Sequence, residues 1–103
     1  STSTSDLPSG VVVRSGRIWQ VDESGTVRAD VAIDISDATE NSPTVATASN
    51  YKLLHRLGTS GNFTVMATGD SVSSGASVDE ITFSGVTVNK GFYIIAATES
   101  SDL

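Results

Sequence analysis

Few residues in this chain are equipped for chemistry. His55 is the only histidine and there is no cysteine, so thiolate metal sites, disulfides and a multi-histidine zinc site are excluded. Serine is abundant, but no Gly-x-Ser-x-Gly elbow occurs, and no serine and carboxylate pattern accompanies His55. Neither standard glycine-rich phosphate loop is present. A lone histidine on a mixed strand reads as structural. Catalytic residues are therefore expected to be none, and the chain is read as not an enzyme.

The carboxylates are the remaining candidates. Asp34, Asp37 and Glu40 precede one polar loop, Asp70 opens a second, and Asp79 and Glu80 close it. Oxygen ligands from such loops suit calcium, although the ordered acidic array of a calcium loop is missing. The expectation is a solvated acidic rim, with no metal and no cofactor, and calcium held only as the minor alternative. Asn62-Phe63-Thr64 is a formal glycosylation sequon. Arg28-Ala29-Asp30 lies inside a strand pattern and lacks the glycine of an integrin motif.

These residues sit on a chain of 103, the length of one domain. Serine and threonine supply 29 positions, and leucine, lysine and glutamate are scarce, so β-branched residues prevail over helix formers. This balance suits an all-β extracellular domain. The net charge of −6 and six scattered basic residues argue against nucleic-acid binding. The apolar runs are too short to span a bilayer, and no signal peptide stands at the start. The chain reads as a processed mature form or a segment of something larger.

Residues 1–10, "STSTSDLPSG", read as a flexible polar leader, and residues 99–103 as a tail. Between them, residues 11–98 read as one domain. Val11, Val12 and Val13 make a strand apolar on both faces. "RIWQV" puts Arg17, Trp19 and Val21 on one face, and Trp19 is read as core. "DESG" supplies a turn, after which Val27, Ala29, Val31, Ile33 and Ile35 share a face opposite Arg28, Asp30, Ala32, Asp34 and Ser36. The two segments read as a hairpin with one wet face.

Residues 36–50 read as a long loop holding a brief strand near "TVAT". "YKLLHRL" and "FTVMAT" read as strands joined by "GTSGN", and residues 69–80 as a second loop. In "ITFSGVTV" the apolar phase slips by one residue at Ser84-Gly85, which predicts a bulge. "NKG" reads as a hairpin turn into "FYIIAA", a last strand apolar on both faces and hence central. Seven or eight short strands without a helical stretch predict an antiparallel β-sandwich, Ig-like or jelly-roll-like.

The order "GRIWQVDESGTVRADVAIDIS", "NYKLLHRLGTSGNFTV", "ITFSGVTVNKGFYIIAA" resembles β-sandwich modules of very large secreted or surface proteins of Gram-negative bacteria, among them adhesin-like proteins of the Bacteroidetes. The resemblance covers residues 16–97. His55-Arg56 departs from it, standing where an acidic stretch is expected. What the resemblance implies is an extracellular, cell-surface module with a structural or adhesive role and no catalytic residues. Its partners would be copies of itself or neighbouring domains. Separately, the two apolar faces of Val11, Val12 and Val13 leave two readings: the strand packs inside its own sandwich, or residues 11–14 add a strand to a neighbour, with Val11, Val12 and Val13 as the contact strand. No nucleic acid and no membrane insertion are expected. The alternative is a carbohydrate-binding module, in which Trp19 and Tyr93 would meet the glycan.

Overall fold

The computed structural model spans residues 1–103. It describes all of them except Glu23, Ser24, Thr26, Ser42, Thr44, Ala46, Ala76 and Ser77, and residues 74, 75 and 78 in backbone only. Nine strands occur among the described residues. They are β1 (Thr2–Ser3), β2 (Val13–Ser15), β3 (Trp19–Val21), β4 (Val27–Asp34), β5 (Tyr51–Arg56), β6 (Thr64–Thr68), β7 (Ser71–Gly75), β8 (Val78–Val88) and β9 (Gly91–Ala97). Every described pairing is antiparallel, and the strands form two packed sheets, as the alternation predicts.

The larger sheet runs β1-β2-β9-β5-β6, with β3 paired to β9 beyond the end of β2. The smaller sheet is β4-β8-β7. β9 is central, as its composition predicts. Val13 and Trp19 lie opposite Ala97 and Tyr93 on one side of it, and β5 pairs along the other from Tyr51–Ala97 to Arg56–Phe92.

Two connections differ from the sequence reading. The segments around "DESG" do not form a hairpin, because β3 pairs with β9 and β4 with β8. Nor does "NKG" close one, since β8 and β9 lie in different sheets. Both strand pairs carry an apolar face, and these faces meet across the sandwich instead of lying side by side. Tyr93 pins the second corner, for its hydroxyl donates to Asn89 O at 2.9 Å and accepts from Asn89 N at 2.8 Å.

The polar segment 71–75, expected as loop, pairs with β8 because Val72 alternates into the core between serines. The predicted bulge is present: Ala29 faces Val86 and Val31 faces Phe83, so the register shifts across Asp30. There Asp30 Oδ1 accepts from Gly85 N at 2.8 Å, and Gly85 takes φ +61°. A short helix, α1 (Ile35–Thr39), replaces the start of the expected long loop. Asp34 caps it by accepting from Asp37 N, and Ile35, Ala38 and Thr39 are buried. The strand expected near "TVAT" includes Thr44 and Ala46, which lie outside the described residues, while Val45 between them is buried.

The inner faces of the two sheets enclose the main core, which includes Tyr51, Leu53, Ile81, Phe83 and Ile95. A second cluster covers the outer face of the larger sheet. Val11, Leu54, Phe63, Ile94 and Ala96 form it, with Leu7 and Phe92 against them. Residues 1–10, read as a leader, are thus laid on the domain. Asp6 pairs with Arg56 at 3.1 Å and accepts from Phe63 N at 3.0 Å through its carbonyl. The Arg56 guanidinium stands 4.0 Å from the Phe63 ring centre, and Arg14 donates to Ser5 O at 2.9 Å. The expected tail is also packed: Leu103 is buried and the Tyr51 hydroxyl donates to Asp102 O at 2.8 Å.

Gly91 enters β9 with φ +137°, and a Cβ there would stand 2.6 Å from Arg56 O. Gly91→Ala is expected to cost roughly 1–3 kcal/mol, combining backbone strain with a contact to main chain that cannot swing aside. Urea denaturation reads this directly as a lower midpoint. An unchanged midpoint would contradict the packing at this corner.

Candidate functional site

Because the chain passes from β3 in one sheet to β4 in the other, two edge strands face each other and the seam between them stays open. It holds a cleft of about 510 Å³, within the range of small-ligand sites. Leu53, Ile33 and Tyr93, all buried, lie deepest in its lining. Trp19, Val21, Val31 and Val88 are partly buried and form its apolar walls. Arg17, Asp34, Asp37 and Glu80 supply its charge. Val88 and Glu80 lie eight residues apart on one strand, so at about 3.4 Å per residue the cleft is elongated.

The sequence reading places Trp19 with Val21 on one face, and the structure agrees, but Trp19 stands at the margin of the core and is only partly buried. Its neighbour Arg17 turns back so that the guanidinium lies 5.8 Å from the Trp19 ring centre, within cation–π range. Trp19 and Tyr93 are register partners on adjacent strands, so both residues singled out for glycan contact line the same cleft. Their parts differ. Tyr93 is buried with its hydroxyl committed to Asn89, whereas Trp19 is only partly buried.

At the other end of the cleft, α1 starts. Asp34 Oδ1 accepts from Ser36 Oγ at 2.7 Å and from Asp37 N at 3.3 Å. Ser36 Oγ also lies 3.2 Å from Asp79 Oδ1, although one hydroxyl proton serves one acceptor at a time. The Ser36 hydrogen bond holds the Asp34 carboxyl below its ordinary value. Burial pushes Asp79 up, and the neighbouring Asp34 carboxylate pushes it further.

The acidic residues named from the sequence are only partly assembled. Asp34, Asp37 and Glu80 share the cleft, and Asp79 adjoins Asp34 through Ser36. Asp70 is elsewhere, accepting from Ser84 N at 2.6 Å, and Glu40 ends α1 in a left-handed conformation. Among the described residues, no group of three or more His, Asp or Glu is placed to hold a metal ion.

His55 lies outside the cleft lining, with Nε2 at 2.9 Å from Lys90 O and its ring 4.8 Å from that of Tyr93. Val11 and Val13 fill the chain's own two clusters, and Val12 is 48% exposed. The cleft as a whole was not foreseen from the sequence. Its one signal was Arg17 in phase with Trp19 and Val21, a charge on an apolar face that marks where the face runs out of the core.

Asp79→Asn is expected to raise the melting temperature at pH 7. The raised carboxyl is disfavoured as an anion in the folded state, so it destabilises the fold above its folded pKa, and that penalty vanishes once it is protonated. The gain should therefore fade as the pH falls through the carboxylate range. Asp34, held low chiefly by the Ser36 hydrogen bond, contributes with the opposite sign. Melting curves from pH 3 to 7 test this, and a gain that grows toward low pH would contradict it.

No protein-family model, curated protein or solved structure matches this chain, so the functional reading stands on the chemistry of the cleft.

Proposed function

We propose that this chain is a non-catalytic adhesive building block of an extracellular bacterial assembly, and that it makes contact through the inter-sheet cleft by holding a saccharide there. The observation that carries this reading is the partly exposed Trp19 ring in an elongated cleft with Arg17, Asp34, Asp37 and Glu80. A sugar ring presents an apolar C–H face and a hydroxyl edge. An indole face receives the first, and carboxylates and a guanidinium receive the second. The polar groups nearest the core are already occupied. Asp34 caps α1 and Tyr93 holds its own corner, which favours binding over acid–base work.

The Ser/Thr-rich, acidic composition and the order of strands support a cell-surface setting. Strand donation by residues 11–14 remains the less favoured mode of assembly. It would require Val11 and Val13 to leave clusters they fill and β2 to part from β9.

Trp19→Ala is the test. The residue is partly buried, so the variant should lose well under the 3–5 kcal/mol or so of a fully buried aromatic and remain folded by circular dichroism. Glycan-array binding by the parent that disappears in the folded variant is the expected result. Binding that survives the substitution would remove the cleft as the contact site.

A further inference from the structure

The charge around the cleft narrows the ligand class, given the saccharide reading above. Among the described residues, three carboxylates, Asp34, Asp37 and Glu80, line it against one cation, Arg17. Among the described residues, neither the Asp37 nor the Glu80 carboxylate enters an ion pair or accepts a hydrogen bond, whereas Asp34 is bound to Ser36 and Asp37 N. The cleft lining beside them includes the apolar Ile33 and, further along β4, Val31. Anionic groups on a low-dielectric wall concentrate cations at a cleft mouth and repel anions.

A second observation points the same way independently. The Trp19 ring already holds a cation, for the Arg17 guanidinium lies 5.8 Å from its centre. That arrangement joins an exposed side chain to a partly buried ring, and it marks this aromatic face as one that receives positive charge. The two features belong to the same cleft, so a ligand lying along it meets both.

We propose that the cleft selects amino sugars, saccharides bearing protonated amines, over neutral and acidic ones. The sugar ring stacks at Trp19 and the ammonium is drawn to Asp37 and Glu80. Arg17 shares or yields its place over the indole. Uronic acids are excluded, because their carboxylates would face three of the same sign.

The test is calorimetric titration of the full chain with four oligomers of equal length: glucosamine, N-acetylglucosamine, glucose and galacturonic acid. The glucosamine oligomer should bind about tenfold tighter than the glucose oligomer, a difference of roughly 1.4 kcal/mol, and acetylation should remove the advantage. The advantage should shrink at high salt. In the double variant Asp37→Asn, Glu80→Gln the ratio of glucosamine to glucose affinity should fall toward one. Asp34 is left in place because it caps α1. Equal affinity of the parent for glucosamine and glucose oligomers, or tighter binding of the galacturonate, overturns the amino-sugar preference and leaves the saccharide reading standing. An unchanged ratio in the double variant also overturns it. Failure of all four oligomers to bind overturns both readings.

Discussion

The fold depends on the double burial of β9. Its residues alternate Tyr93, Ile95 and Ala97 with Phe92, Ile94 and Ala96, so neither face can meet water without loss. A single second sheet covers one face only. The other face is closed by the N-terminal segment and by Phe63, held together through Arg56, Asp6 and Arg14. Arg56 joins these layers, since it pairs with Asp6, donates to Gly61 O and lies over Phe63. Polar residues thus make an apolar cover possible by fixing a strand-poor segment across the sheet.

The cleft follows from the same economy of strands. The smaller sheet has three strands and the larger one is wider, so β3 and β4 are left facing each other along an unfilled seam. Packing seals the opposite side, where β6 passes into β7 at Gly69 and Asp70, with Gly69 N donating to Tyr51 O and Asp70 N to Thr82 O. One side of the sandwich is closed by main-chain bonds. The other is open, and it is there that Trp19 and the carboxylates gather.

Alternation made the strands, their inward faces and the Ser84-Gly85 slip legible in the sequence. It did not reveal which sheet a strand joins. A face made of Val27, Ala29, Val31 and Ile33 is equally content beside β3 or across from it, and turn residues such as those of "NKG" serve either path. Composition misled at residues 1–10, where Leu7 and the Asp6 partner of Arg56 are single contacts hidden among serines and threonines. It misled again at 71–75, where one partly buried valine between serines is enough for a strand beside a long partner. Of the site, Trp19 and Tyr93 were legible as aromatics and Asp34, Asp37 and Glu80 as acids. Their convergence on one cleft follows from β3 and β4 lying in different sheets, which no local pattern records.

Among the described residues, successive strands change sheet four times, and the strand that unites the larger sheet is β9. β2 and β3 find their partner far along the chain, Val13 opposite Ala97 84 residues on and Trp19 opposite Tyr93 74 residues on. Loop closure over such spans must be met before any pairing rewards it, and folds of this kind form slowly. During synthesis β2, β3 and β5 lack their central neighbour until residues 91–97 have emerged. The β5–β6 hairpin and the antiparallel β7–β8 pair, which need only nearby chain, are the parts able to form ahead of it. Order of synthesis and order of assembly therefore run against each other in this molecule, and the final strand acts as the clasp.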